Sequence, residues 1–388
     1  MKLPCSELGL VRLLAVLCVL FLYVFTALSL RHRTAGRSSL PSNMLSRPST
    51  RGPESCVCVP KTKIGFLKTH KTGSTTIQNM ILRFSSKHGL RVLLPPSGNV
   101  LNELGSAAAT LMPWQNRTMK YDVIALHTKW SHSAAMNILG RKAAYFTILR
   151  EPIEQWLSWY NYYPIRYHSN KSADEFLLQN RIPTLRELGW NPPEWVSAQN
   201  TMLYDLGLPG HALGDAIRIE ETITNTFEFF DLVMLMERFD ESLVLLNMLL
   251  CWGYEQFAYL KLNTRSRSNS SARDALSATA KNRLRAYISG NIALYSLAEK
   301  RFDESLHQVG TARVQNELAE LHRLNKQVAA ACVHGTVPLD TWSPGVQVWA
   351  YQINEGGSGP DGLSCKYYGI QEQAFIDEIR TEYSSFAV

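Results

Sequence analysis

The sequence predicts an α/β fold: a central, mostly parallel β-sheet flanked by helices, with a helical C-terminal part and an apolar N-terminal helix. Short apolar runs of strand length alternate with segments of helical periodicity between residues 63 and 250. Hydrophobic residues make up 45% of the 388 residues, which is enough for a sizeable core and excludes a mainly disordered chain. The formal net charge of +7 suits an anionic ligand, but without runs of Lys and Arg it gives no indication of nucleic-acid binding.

The first predicted element is a transmembrane helix at residues 13–30, a segment of 18 residues without a charged side chain. A helix of that length extends about 27 Å, which suits a thin bilayer such as that of the Golgi. The alternative is a cleaved signal peptide, but the apolar region of such a peptide is usually shorter, and no small-residue cleavage site follows Leu30. We therefore expect an uncleaved signal anchor.

The anchor divides the chain into a cytosolic tail at 1–12, a Ser- and Pro-rich stem linker at 31–60 and a lumenal domain at 61–388. The basic residues that follow the anchor favour the reverse orientation, but long domains translocate largely regardless of such charges. Asn-x-Ser/Thr sequons beyond the anchor favour the lumenal orientation. These predicted glycosylation sites are Asn116, Asn170 and Asn269.

Four strands, each followed by a helix, form the predicted sheet. The strands are expected at 63–68, 122–127, 143–150 and 231–236. The helices are expected at 75–88, near 133–140, from Pro152 onward, and from Asp240 to about residue 250, with Asp240 as the N-cap of the last. A long charged helix is expected near 314–331, and a loop-rich tail from Val333.

A polar turn that contains one glycine joins the first strand to the first helix. It reads KTHKTGSTT over residues 68–76. Such a turn directs backbone N–H groups and a helix N-terminus toward one point, which suits a phosphate group. The motif differs from a Walker A sequence because Lys71 precedes Gly73. The alternative interpretation is an ordinary strand-to-helix turn with a polar cap.

A second candidate anion site follows the third strand. Arg150 lies at the carboxyl end of that strand, where ligands bind in open parallel sheets, and Ser158 follows eight residues later in the next helix. Both side chains could therefore reach a second phosphate. The alternative is a surface arginine paired with Glu151 or Glu154.

The two motifs in this order resemble those of the galactose-3-O-sulfotransferase family. Further matching segments are FLKTHKTGSTT at 66–76, ERFDESLVLL at 237–246 and YLKLNTRS at 259–266, and the resemblance runs with gaps from about residue 64 to 365. It implies a P-loop-like sulfotransferase fold in a single-pass type II Golgi membrane protein, held in the membrane by its N-terminal helix. It also implies PAPS (3′-phosphoadenosine 5′-phosphosulfate) as the donor, no required metal, and sulfuryl transfer to the 3-hydroxyl of a galactose-terminated glycolipid or glycoprotein glycan.

The resemblance assigns the donor 5′-phosphosulfate to the first motif and the 3′-phosphate to the second. The expected donor ligands are Lys68, Thr69, Lys71, Thr72, Gly73, Ser74, Thr75, Thr76, Arg150 and Ser158. Arg265 joins them in a basic loop with Lys261 and Arg267, which either closes over the donor or is merely solvated. The segments around residues 126–130, 199–207 and 294–299 depart from the family pattern, so a different acceptor sugar stays open.

Three residues carry the expected catalysis. Lys71 is expected to stabilise the leaving phosphate oxygen by its charge. The base should titrate near neutrality, which favours histidine. His70, beside the loop, is the first candidate. His127, at the end of the second predicted strand, is the second, either as an alternative base or as a group that orients the acceptor; otherwise it is a buried histidine bonded to backbone.

Aromatic residues crowd the region 156–195 and could stack on a sugar or simply pack in the core. Trp190 and Trp195 are the better candidates for sugar stacking because two prolines indicate a loop there. Five cysteines lie beyond the anchor, an odd number, and no second ligand pair has the spacing of a zinc site. We expect disulfides between Cys332 and Cys365, and between Cys251 and either Cys56 or Cys58.

The sequence is also compatible with two other classes of protein. A lumenal glycosyltransferase would share the anchor and the α/β fold, but the Asp-x-Asp motif typical of its metal-dependent forms does not occur in the sequence. A non-catalytic member of the same fold would bind a glycan or PAPS without turnover.

Overall fold

The computed structural model describes residues 58–105, 120–163, 165–183, 186–189, 199–262, 275–340 and 347–385. Several sequence predictions lie outside these residues: the cytosolic tail, the anchor at 13–30, most of the stem, and the residues Cys56, Asn116, Trp190, Trp195, Arg265, Arg267 and Asn269. No helix within the described ranges has the length and apolarity needed to cross a membrane.

Within these ranges, the strands in chain order are β1 (Ile64–Leu67), β2 (Val100–Glu103), β3 (Val123–Ile124), β4 (His127–Lys129), β5 (Ala144–Leu149), β6 (Leu232–Leu235), β7 (Val333–Asp340) and β8 (Gln347–Ile353). The helices are α1 (Ser74–Lys87), α2 (His132–Leu139), α3 (Pro152–Tyr162), α4 (Ile165–Ser169), α5 (Ala173–Leu177), α6 (Thr201–Asp205), α7 (Ala216–Phe229), α8 (Phe239–Leu250), α9 (Tyr254–Phe257), α10 (Ala278–Tyr287), α11 (Ser289–Val309), α12 (Thr311–Cys332), α13 (Lys366–Gly369) and α14 (Glu372–Ser385). Short 3₁₀ turns lie at Gly210–Ala212 and Met236–Arg238.

The central sheet confirms the predicted α/β class. Its strands are all parallel, in the order β3-β1-β5-β6, with helices between them along the chain. β1 and β5 are buried along their whole length, as expected for inner strands covered on both faces. The carboxyl ends of β1 and β5 therefore meet at one edge, and the two predicted anion-binding motifs begin there.

The prediction of one continuous strand at 122–127 was wrong. β3 ends at Ile124, and β4 starts at His127 and pairs with β2 in a separate two-stranded sheet. The sequence gives no sign of this change of direction because the linking residues, Ala125 and Leu126, are apolar and fully buried. His127 accordingly begins a strand rather than ending one.

The start of α8 also differs from the prediction. The helix begins at Phe239, directly after the 3₁₀ turn, and Arg238 holds the N-cap position. Asp240 therefore lies in the first turn, and its carboxylate accepts a hydrogen bond of 2.6 Å from the Tyr259 hydroxyl instead of capping the helix.

The tail after Val333 is structured, contrary to the expected loops. β7 and β8 form an antiparallel hairpin, and α13 and α14 then pack against α1. Phe375, Ile376 and Ile379 are buried apolar residues of α14, a helical spacing that the sequence analysis did not use. The tail thereby reaches the helix that follows the first anion-binding motif.

Two disulfides join distant parts of the domain. One links Cys58 to Cys251, and so attaches the start of the described chain to the residue after α8. The other links Cys332, at the end of α12, to Cys365, immediately before α13. Of the two partners left open for Cys251, the structure has Cys58. Both crosslinks restrict the unfolded chain and favour the folded domain.

Core packing accounts for most of the aromatic cluster in α3. Trp156, Trp159, Tyr160 and Tyr163 are buried in one apolar cluster. Trp156, Trp159 and Tyr160 are therefore not available to stack on a sugar. Tyr162 and Tyr163 differ from them, since both line the cavity described below.

Candidate active site

A cavity of about 1120 Å³ opens at the carboxyl edge of the sheet and receives both predicted anion-binding motifs. Its lining includes the predicted residues Lys68, His70, Lys71, Gly73, Ser74, Thr75, Thr76, His127, Arg150 and Ser158. Lys261, from the predicted basic loop, also lines it. The structure thus brings together side chains that lie far apart along the sequence.

The loop between β1 and α1 is compact because its own side chains close it. The hydroxyls of Thr69 and Thr72 lie 2.8 Å apart, and the Ser74 hydroxyl donates to the Thr69 carbonyl at 2.7 Å. Thr69 and Thr72 are fully buried and do not line the cavity. Of the predicted donor ligands, these two therefore support the loop rather than face the ligand space.

Left-handed backbone gives the loop its sharp curvature. Gly73 has a φ of 73°, and a Cβ atom there would come within 2.3 Å of the Met236 sulfur. Lys71 has a φ of 63° without the freedom of glycine, a conformation that costs a side-chain-bearing residue about 1 kcal/mol or more. The helix N-terminus, with its first N–H groups not bonded within the helix, then faces the cavity.

Arg150 connects the two motifs. Its Nη1 donates to the Lys71 carbonyl at 3.3 Å, and its guanidinium lies 3.6 Å from the Glu154 carboxylate. The ion pair between Arg150 and Glu154, which the sequence allowed as the alternative to an anion site, is thus present. The Arg150 side chain nevertheless lines the cavity. The Lys71 ammonium lies 3.3 Å from the centroid of the Tyr162 ring, where the aromatic face attracts a cation.

A buried carboxylate fixes the orientation of His70. Asp205, at the end of α6, accepts from the His70 backbone N–H at 2.7 Å and from ring Nδ1 at 2.8 Å. Because a carboxylate only accepts, Nδ1 carries the proton, and Nε2 of the neutral ring carries the lone pair. A histidine held in this way has the arrangement of a general base.

His127 is held differently. Its Nδ1 donates to the Lys68 carbonyl at 2.8 Å, so its Nε2 accepts from the Lys68 ammonium at 3.0 Å. Burial first, and then the adjacent Lys68 charge, lowers the pKa of His127 well below 6.5. Both ring nitrogens thus have protein partners, and the ring stays neutral at physiological pH.

Lys68 is almost completely buried, with 1% of its surface exposed, and it needs a counter-charge. Glu372, the first residue of α14, supplies it at 2.6 Å. Burial lowers the pKa of Lys68, and the Glu372 carboxylate opposes that shift. Asn99 donates to the other Glu372 oxygen at 3.0 Å.

The far wall of the cavity is more acidic. Glu237 accepts from the Tyr295 hydroxyl at 2.7 Å, and Asp240 contacts His322 at 2.9 Å as well as the Tyr259 hydroxyl. Burial is the main cause of the raised pKa of Tyr259 and Tyr295, so both hydroxyls stay protonated. This wall offers hydrogen-bond donors and acceptors to a neutral polar group.

Sequence reasoning missed Asp205, Glu372 and Asn99. No local pattern assigns Asp205 a role at the site, since it stands 135 positions after His70. Glu372 reaches the site through the packing of α14 on α1, and Asn99 reaches it from the segment directly before β2. Of the predicted glycosylation sites, Asn170 is described and is exposed after α4.

A parallel sheet with a Gly-containing strand-to-helix turn at its carboxyl edge defines an α/β protein whose candidate site has the geometry suited to an anion. The family model for galactose-3-O-sulfotransferases matches residues 6–346. The chain belongs to this family.

Curated relatives agree with this assignment. Mouse galactose-3-O-sulfotransferase 3 is 32% identical over 336 residues, covering 80% of this chain and 75% of that protein. Bovine galactosylceramide sulfotransferase is 30% identical over 288 residues, covering 73% and 67%. Human galactose-3-O-sulfotransferase 2 is 29% identical over 334 residues, covering 83% and 82%. The resemblance read from the motifs is therefore confirmed.

Proposed function

We propose that this chain is a PAPS-dependent carbohydrate sulfotransferase. It transfers a sulfuryl group to a hydroxyl, the 3-hydroxyl of a terminal β-galactose, on a glycolipid or a glycoprotein glycan. Its family and relatives are named for galactose or galactosylceramide sulfation, which supports this acceptor class. The same membership argues against the glycosyltransferase alternative.

The cavity suits a donor with two anionic ends. Lys71 and the α1 N-terminus provide one cationic end, and Arg150 with Ser158 provides the other. A volume of about 1120 Å³ is large enough for a nucleotide together with part of an acceptor. We assign the phosphosulfate to the Lys71 end and the 3′-phosphate to the Arg150 end.

His70 is the general base in this proposal. Its Nε2 takes the proton of the acceptor hydroxyl while the acceptor oxygen forms a bond to sulfur and the bond from sulfur to the phosphate oxygen breaks. Asp205 stabilises the resulting imidazolium, and Lys71 neutralises the charge that develops on the leaving phosphate oxygen. The sulfated acceptor and the desulfated donor, PAP, are the products.

The observation that carries the proposal is the Asp205–His70 hydrogen bond of 2.8 Å directly beside Lys71, since it joins a base to an anion loop. The test is incubation of the full-length chain with ³⁵S-labelled PAPS and a panel of β-galactosides. We expect labelled sulfate on the galactose 3-hydroxyl. PAP binding without transfer to any acceptor would support the non-catalytic alternative, and binding of a UDP-sugar would support a glycosyltransferase.

We also propose that the chain is a single-pass type II protein of the Golgi membrane with a lumenal catalytic domain. The anchor at 13–30, the sequons and the two disulfides support this topology, because disulfides persist in oxidising compartments. The exposed position of Asn170 is compatible with a glycan.

A further inference from the structure

Glu372 reaches the proposed catalytic centre from a part of the chain beyond the family match, which ends at residue 346. Its two carboxylate oxygens have separate partners. Oε2 accepts from the Lys68 ammonium at 2.6 Å, and Oε1 accepts from the Asn99 amide at 3.0 Å. The carboxylate is thereby held from both sides beside the wall of the cavity.

The Lys68 ammonium, held in this way, also orients a histidine. It donates at 3.0 Å to Nε2 of His127, whose Nδ1 donates to the backbone carbonyl of the same Lys68. The His127 ring is then fixed at both nitrogens. It stacks on the ring of His70 with 4.0 Å between centroids and 15° between planes.

A carboxylate is needed here because the ammonium is buried. An ammonium without a counter-charge at such depth is strongly disfavoured and tends to lose its proton. A neutral Lys68 amine could accept a hydrogen bond as well as donate one, so it would no longer define the orientation of the His127 ring. Removal of one partner from a buried ion pair is accordingly far more disruptive than removal of a surface pair.

The surroundings fix Glu372 in turn. Phe375, Ile376 and Ile379 bury one side of α14. Arg380, two turns further along, donates to the backbone carbonyls of Pro95 and Gly98, in the segment that leads to Asn99. Arg380 therefore joins α14, which carries the Glu372 carboxylate, to the segment that carries the Asn99 amide.

We propose that Glu372 is a positioning residue that acts through Lys68, keeping its ammonium charged and aimed at His127 so that the two stacked histidines stay aligned at the cavity. This inference rests on the proposed sulfotransferase function. Glu372 itself need not touch the donor or the acceptor.

The test uses Glu372→Gln in the full-length enzyme, a change that keeps the size of the side chain and removes its charge. We expect kcat for sulfate transfer to fall about 100-fold, the usual consequence of misplacing a reactive group by about 1 Å. The Kd for PAP should change less than about threefold, since the two donor ends are elsewhere. Glu378→Gln is the matched control: Glu378 lies on the same helix in a surface pair with Lys366 and should leave kcat unchanged.

A second variant separates positioning from general stability. If Glu372 acts through Lys68, then Lys68→Met with Glu372→Gln should have the same kcat as Lys68→Met alone. Its Tm should be no lower, because the double variant leaves no unpaired carboxylate. A double variant clearly worse than Lys68→Met alone would overturn the proposal, as would wild-type kcat in Glu372→Gln. Absence of transfer by the wild-type enzyme would instead overturn the proposed function and, with it, this inference.

Discussion

The imidazole rings of His70 and His127 stack 4.0 Å apart, yet different residues hold them. Asp205 binds Nδ1 of His70, whereas both nitrogens of His127 bind Lys68. The pair is therefore chemically unequal. His70 has the arrangement of a base, and His127 has that of a fixed neighbour.

The first prediction follows from this inequality. His70→Ala should lower kcat about 100- to 10,000-fold, the usual effect of losing a general base, and His127→Ala should lower it less. His211→Ala, at an exposed position, is the control. An inactive His127→Ala beside an active His70→Ala would exchange the two roles.

The second prediction concerns Asp205→Asn. The new amide can accept from the His70 backbone N–H only by turning its NH₂ group toward ring Nδ1, which favours the tautomer with the proton on Nε2. That tautomer cannot act as the base, so kcat should fall about 100- to 10,000-fold while the Kd for PAP stays within about threefold. Glu221→Gln, in an exposed pair with Arg218, is the control. Unchanged turnover in Asp205→Asn would remove Asp205 from the mechanism.

The third prediction separates the two ends of the donor. Lys71→Ala should lower kcat about 100- to 1000-fold, because a charge at the leaving oxygen acts in the transition state. Arg150→Ala should mainly raise the Kd for PAP, measured by calorimetry. Arg218→Ala, a surface arginine, should change neither quantity. Unaltered PAP affinity in Arg150→Ala would contradict the assignment of the 3′-phosphate.

The fourth prediction concerns stability against pH. Burial lowers the pKa of His127 well below 6.5, and that of His132 to about 4. As the pH falls below the ordinary value of about 6.5, the unfolded chain takes up these protons before the folded one does, so stability is lost. Tm should therefore drop from pH 7 to pH 5, and less steeply in His132→Gln. An equal slope in His132→Gln and wild type would contradict the lowered pKa.

The fifth prediction concerns topology. If the domain is lumenal, endoglycosidase should shift the electrophoretic mobility of the expressed protein, and Asn170→Gln should remove one glycan. The domain should also resist protease added to sealed microsomes and become sensitive after detergent. Cleavage without detergent would place the domain on the cytosolic side, despite the sequons.

Site residues that lie in contiguous sequence motifs were predicted better than site residues that tertiary packing brings in from elsewhere in the chain. The turn at 68–76 and the strand end at Arg150 are contiguous patterns, so their position at one sheet edge followed from parallel topology. Asp205 and Glu372 depend on how α6 packs against β4 and how α14 packs against α1, which no short pattern encodes. The break between β3 and β4 was hidden because its residues are as apolar as a strand.

The ion pair between Lys68 and Glu372 has a consequence for synthesis, since its partners are 304 positions apart. At about 5–20 residues per second, the carboxylate leaves the ribosome roughly 15–60 s after the lysine. During that interval the anion loop can be complete in sequence while its deepest cation still has no counter-charge. The proposed catalytic centre of a nascent chain is therefore complete only when α14 has docked. A translation product that stops before residue 372 would retain both anion-binding motifs without the carboxylate that neutralises Lys68.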